Sequence, residues 1–167
     1  MSENKYHMLM VDPERCTGCG LCEMACSLQH EGVCSQALSR IRVLRREEKG
    51  WSMPVVCMQC VDAPCKAICP AGAISRDSAS GAYVINHRLC IGCRLCIMVC
   101  PLGAITFSQE EAGRVLKCDL CDGAPRCVQF CGTEALSLVR PDRLGEAQRR
   151  KVFAQYGLAV ANRGTDK

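Results

Sequence analysis

Large side chains are scarce in this chain of 167 residues. One Trp, three Tyr and three Phe amount to 4% aromatic content, and the 49% hydrophobic figure is swollen by cysteine. So thin a stock excludes an ordinary apolar core as the main support, and small domains in that position use disulfides or metal as staples. Long apolar runs are missing as well, since no stretch approaches the roughly 20 residues of a membrane span. The opening MSENKYHMLMVDPERC has no basic segment leading into a long apolar run and no twin arginine. The expectation is therefore a soluble, cytoplasmic protein. Thiols stay reduced in that compartment, and patterned cysteines there bind metal or carry redox chemistry. A large charge of either sign is absent too. The formal +4 and pI of about 8.3 count every cysteine as neutral. Cysteines deprotonated by bound metal would take the charge of a loaded chain below zero, so the basic balance gives no case for nucleic acid.

What the chain has in quantity is cysteine, 17 residues of it, and sixteen fall into four groups. Group one is Cys16, Cys19, Cys22 and Cys26. Group two is Cys57, Cys60, Cys65 and Cys69. Group three is Cys90, Cys93, Cys96 and Cys100, and group four is Cys118, Cys121, Cys127 and Cys131. The numbers of intervening residues are 2-2-3, 2-4-3, 2-2-3 and 2-5-3. Groups one and three repeat at an offset of 74, each with a Gly-Cys pair (Gly18-Cys19, Gly92-Cys93). Groups two and four share an opening CxxC and an Ala-Pro before the third cysteine (Ala63-Pro64, Ala124-Pro125). A further echo runs CPAGAI from Cys69, CPLGAI from Cys100 and CGTEAL from Cys131. A two-group unit has been duplicated.

A [4Fe–4S] cube takes four thiolates, one per iron. Three closely spaced cysteines wrap three corners, and small neighbours such as Gly18, Gly20 and Gly92 let backbone N–H groups approach the sulfurs. In the C-x2-C-x2-C-x3-C-P run of two-cluster ferredoxins the fourth cysteine serves the other cluster. Groups two and three carry Cys-Pro endings and form the strongest such pair. One cluster would take Cys57, Cys60, Cys65 and Cys100, its neighbour Cys90, Cys93, Cys96 and Cys69. The same exchange joins groups one and four: Cys16, Cys19 and Cys22 with Cys131, and Cys118, Cys121 and Cys127 with Cys26. Pairing one with two and three with four is the rival topology. Four complete runs argue against zinc ribbons, which use two CxxC pairs. Every cluster has a full ligand set, so no open iron is offered for catalysis, and the chain is read as non-catalytic by itself.

The fold class is α+β: a duplicated ferredoxin-like arrangement of short strands, hairpins and helical turns around four cubane clusters, with a C-terminal helix. Residues 1–140 would form the four-cluster domain and 141–167 the helix and tail. Ala82 to Ile85 reads as a strand paired with Ile74 to Arg76. Arg40 to Arg45 nearly alternates and reads as a strand with a basic outer face. One helical turn is expected between the third and fourth cysteines of each group. Asp142 caps the expected last helix, which stops near Gly157 with Leu144, Ala147, Val152, Phe153 and Tyr156 as its apolar stripe. The polar tail, Asn162 to Lys167, should be loose. Cys34 is read as a small buried hydrophobe, with replacement of Cys26 as a ligand the alternative. His30 is expected to make a structural hydrogen bond, with tuning of a nearby cluster as the sharper reading. His7 and His87 belong at the surface or at strand ends. The basic runs Arg40 to Arg46 and Arg149 to Lys151 are read first as solvated faces and second as partner-docking patches.

The order of the groups, with 2-4-3 second and 2-5-3 fourth, resembles the four-cluster electron-transfer subunits of molybdenum and tungsten oxidoreductases over about Met10 to Leu138. Such subunits serve dimethyl sulfoxide reductase, formate dehydrogenase and formate hydrogenlyase, and carbon monoxide dehydrogenase-linked ferredoxins are similar. The resemblance implies the nested pairing and a roughly linear row of clusters. The segments DPERCTGCGLCEMACSLQHEG and KCDLCDGAPRCVQFCGTEAL look most like the small iron–sulfur subunit of bacterial tungsten aldehyde oxidoreductases. That implies a large tungsten- or molybdenum-pterin subunit oxidising aldehyde, and electron exit towards a FAD/NAD-reducing subunit. Cys131-Gly132 departs from the usual Cys-Pro but keeps the cysteine. A polyferredoxin serving a hydrogenase, formate hydrogenlyase or carbon monoxide dehydrogenase is the runner-up, and a zinc-binding adaptor comes third. Clusters near both ends would also suit head-to-tail self-association.

Overall fold

The computed structural model describes residues 6–109, 113–141 and 145. Its strands are short and make four separate two-stranded antiparallel ribbons. Strand β1 (Met8–Val11) lies far from its sequence neighbours. It pairs across almost the whole described chain with β8 (Leu136–Val139), in the register Met8 to Val139 and Val11 to Leu136. Between them run three local hairpins. Strand β2 (Arg42–Arg46) pairs with β3 (Trp51–Val55), β4 (Ile74–Arg76) with β5 (Tyr83–Ile85), and β6 (Ile105–Phe107) with β7 (Val115–Lys117). The β4–β5 turn is pinned by Asp77, whose carboxylate accepts from the Ser80 N–H and hydroxyl, both at 2.7 Å.

The helices are α1 (Leu21–Glu31), α2 (Pro64–Ala67), α3 (Leu95–Val99) and α4 (Arg126–Gln129). Helix α1 packs on α4, and α2 packs on α3. Two cores follow from that nesting. One gathers Leu9, Cys22, Cys26, Leu120, Cys127 and Leu136, and the other Cys65, Ile74, Tyr83, Cys96, Ile105 and Val115. Cysteine thus supplies much of what little interior there is.

Three expectations change. Helix α1 is eleven residues long where one turn was expected. Residues 32–56 fold back on it and bond its side chains. The Glu23 carboxylate accepts from the Val43 N–H, Gln36 Nε2 and Arg45 Nη2, each at 3.0 Å. Ser27 Oγ accepts from the Ser35 N–H at 2.9 Å. The basic strand starts at Arg42, and Arg40 is buried instead of facing solvent. Arg40 Nη2 donates to Glu31 at 3.0 Å, and Glu31 also takes Arg114 at 2.9 Å. An arginine with a carboxylate partner can be buried where an unpaired one cannot. Cys34, finally, is exposed, not a buried hydrophobe. The expected helix past Asp142 and the Arg149 to Lys151 run lie outside the described residues. Among the described residues no helix is long and apolar enough to cross a membrane.

Candidate metal centres

The third cysteine of every group sits at the second position of a helix: Cys22 in α1, Cys65 in α2, Cys96 in α3 and Cys127 in α4. All four are buried. The backbone that delivers them needs left-handed turns. Gly20 before α1 (φ 78°) and Arg94 before α3 (φ 63°) occupy equivalent places in the repeat. Gly18 and Gly92 show why glycine recurs there. A Cβ would lie 2.5 Å from Ser52 Oγ at the first and 3.1 Å from the Gly113 carbonyl oxygen at the second, both at positive φ.

Three cavities open between these turns. Cys57, Cys60, Cys65 and Cys100 line the first. Cys69, Cys90, Cys93 and Cys96 line the second. Cys26, Cys118, Cys121 and Cys127 line the third, with Cys57 on its wall as well. Each brings three cysteines of one group to the fourth cysteine of another. Cys16, Cys22 and Cys131 pack around the first core, and the thiols of Cys19 and Cys131 both act on Cys22. Cys34 lines none of the three cavities.

The electrostatics suit a soft metal group held by thiolates. Burial, then the Glu23 charge, pushes the Cys22 thiol up to about 12. Burial, with Cys26 and Cys121 nearby, pushes Cys127 to about 12. Cys118 is raised well above the ordinary thiol value, again chiefly by burial. Thiolates so desolvated need a metal cation beside them. Cys131 is the exception. Burial acts upwards on it, but the Thr133 hydroxyl and the N–H groups of Leu136, Ala135 and Thr133 outweigh that and hold it below the ordinary value.

The third cavity also carries donors waiting for an anion. Arg40 lines this cavity, and its buried Nη1 has no hydrogen-bond partner among the described residues. The Arg40 N–H donates to Cys26 Sγ at 3.4 Å. His30 Nε2 lies 3.5 Å from Cys121 Sγ and 3.4 Å from Asp119 Oδ1. Burial holds His30 below the ordinary histidine value although Asp119 pulls it up. A four-thiolate cluster, anionic as a whole, fits this lining.

Two buried residues here escape sequence reasoning. Gln59 is 1% exposed and Lys117 is 6% exposed. Gln59 Nε2 donates to the Cys118 carbonyl at 2.9 Å, and its Oε1 accepts from the Tyr83 N–H at 2.9 Å. The usable signal was the repeat itself. Gln59 in CMQC stands where CDLC has Leu120, and both are buried with positive φ, 49° and 61°.

Residues 48–140 match the 4Fe–4S dicluster domain, and residues 7–28 match a 4Fe–4S binding domain. The chain belongs to the 4Fe–4S dicluster domain family. All sixteen grouped cysteines fall inside the two matched stretches, and Cys34 falls outside both. Among relatives of this dicluster protein is the polyferredoxin-like subunit of an aliphatic sulfonate oxidoreductase from Pyrococcus furiosus. It is 43% identical over 90 residues, which is 54% of this chain and 51% of that one. Formate hydrogenlyase subunit 2 of Escherichia coli is 41% identical over 88 residues, 53% of this chain and 41% of that one. The chain therefore spans about half or less of those relatives' length. The solved active-site complex BamBC of benzoyl coenzyme A reductase has a chain that superposes with a TM-score of 0.49 at 26% identity, covering 90% of this chain and 91% of that one.

Proposed function

We propose that the chain is an electron-transfer subunit that holds four [4Fe–4S] clusters. The four ligand sets are Cys57, Cys60, Cys65, Cys100; Cys69, Cys90, Cys93, Cys96; Cys26, Cys118, Cys121, Cys127; and Cys16, Cys19, Cys22, Cys131. The observation that carries the reading is the mixed make-up of the three cavities, three cysteines from one run and one from its partner. When bound, such clusters supply one-electron couples. The chain's own part is to hold them apart from water, to donate N–H groups to the sulfurs, and to set their order. Cys57 walls both the first and the third cavity, so these two sets are inner neighbours. The Cys69 and Cys16 sets then stand at the two ends, where the half-exposed Cys16 and the exposed Cys19 and Cys93 bring ligands close to solvent and to partners.

The partner is read as a large tungsten- or molybdenum-pterin subunit, with aldehyde oxidation as its reaction and a FAD/NAD-reducing subunit as the exit. The resemblance of the cysteine segments supports this, as does the relative that is a polyferredoxin-like subunit of an oxidoreductase. A second reading, service to a hydrogenase system, is favoured by the match to formate hydrogenlyase subunit 2. Anaerobic isolation of the native complex with metal analysis separates them. Tungsten or molybdenum in a co-purifying large subunit with aldehyde-dependent reduction of this chain is expected. Nickel and hydrogen-dependent reduction would favour the second reading instead.

A further inference from the structure

Lys117 ends β7 with its side chain turned inwards. Its Nζ donates to the carbonyl oxygens of Tyr83 and Cys118, the latter at 3.0 Å, and to Gln59 Oε1 at 3.4 Å. Three oxygen acceptors use three N–H donors, which an ammonium has and a neutral amine has not. All three acceptors are uncharged. Among the described residues no carboxylate forms an ion pair with Lys117. A cation buried among neutral groups is costly unless an opposite charge lies close. Among the described residues no carboxylate lines either adjoining cavity, and cysteine thiols line both. Lys117 lines the cavity of Cys57, Cys60, Cys65 and Cys100, and it directly precedes Cys118, which lines the adjoining cavity. Burial raises the Cys65 and Cys118 thiols, and in both the Lys117 charge acts the other way. Among the described residues the cavity of Cys69, Cys90, Cys93 and Cys96 has no lysine on its wall, and the cation there, Arg94, stacks 4.1 Å over the Phe107 ring.

We propose that Lys117 is the fixed counter-charge for the two inner clusters and makes them easier to reduce than the two outer ones. The proposal rests on the four-cluster reading above. Reduction adds one negative charge to a cluster, and a cation held in a poorly polarisable interior stabilises that charge far more than one in water. Lys117 is thus a positioning residue for the middle of the relay, where an electron arriving from either end comes to rest.

The test uses the full chain, purified anaerobically, in three forms: wild type, Lys117→Met and Gln59→Glu. Iron and acid-labile sulfide are measured first. Wild-type protein without cubane iron would bring down the four-cluster reading itself, before any potential is measured. Redox titration followed by EPR then tests the lysine. Lys117→Met should move two of the four midpoint potentials to more negative values and leave the other two in place. Gln59→Glu gives the ammonium a carboxylate partner and should move the same two in the same direction. A lysine that merely clips carbonyls together would alter stability and leave the potentials alone. Fully loaded variants with four unmoved potentials, or with all four displaced alike, overturn the proposal. Should neither variant load, Lys117→Arg decides: restored loading and wild-type potentials support the charge, and failure of Arg as well overturns it.

Discussion

At the scale of single residues the chemistry is a contest between burial and charge. Cys26 and Cys131 are each, on this account, the one ligand that their set draws from another group. Replacing either with Ala should cost one cluster of the pair built from groups one and four, about four of sixteen irons, and should leave the other three clusters intact. Iron analysis with EPR checks this, and four intact cubanes in both variants would contradict the exchange of ligands. Cys34→Ser should leave iron content unchanged, because Cys34 is exposed and lines none of the three cavities. The raised thiols predict a pH effect with a definite sign. Cys22 and Cys127 stand at about 12 in the fold against 9.0 ordinarily. The metal-free fold therefore favours the protonated form. That contribution is fully present below about pH 9 and is lost as pH rises towards 12. The melting temperature of metal-free chain should fall across that window. The loaded chain has no such protons to lose and should not follow it. Groupings were legible where spacing encodes them, and the structure gathers twelve of the sixteen grouped cysteines around three cavities. Residue roles were hidden where partners come from far along the chain. Lys117 reaches Gln59, 58 residues back, and the CMQC–CDLC repeat points to Gln59 but not to this contact.

At the scale of elements, no ribbon or helix here could stand alone, since isolated two-stranded hairpins and one-turn helices are marginal in water. Helix α1 is long because the 32–56 segment supplies partners for Glu23, Ser27 and Glu31. Glu31 matters most, for it neutralises buried Arg40 and also binds Arg114. Glu31→Ala removes the carboxylate that buried Arg40 shares with Arg114 and should destabilise the protein by about 3 kcal/mol, the low end for breaking a buried pair. A lowered urea midpoint for loss of cluster absorbance measures it. The β4–β5 hairpin was readable from alternation and a polar turn, both local signals. The β1–β8 pairing was not, since it joins residues more than a hundred positions apart. The strand expected from Arg40 started two residues early for a related reason. Alternation of Arg and apolar residues marks a period, but it does not reveal that Glu31 waits inside for the first Arg.

At the scale of the whole molecule, the helices nest as the cysteine groups do. Helix α1 packs on α4 around one core, α2 on α3 around the other. The duplication was plain in the sequence, and so was the scarcity of aromatic side chains that makes the thiol-lined cavities the centre of each core. Bound clusters would then be structural as well as functional. Removing iron with a chelator under oxidising conditions should lower the melting temperature sharply, because the apolar interior left behind is small. The loaded chain should also migrate as an anion at pH 7, although the bare sequence carries +4. The most direct test of the central claim is Mössbauer spectroscopy with iron and sulfide counts on the anaerobically isolated full chain. The account predicts about sixteen irons and sixteen sulfides per chain, all in cubane environments. Zinc in the thiol sites, or half that iron with the remaining cysteines free, would contradict it.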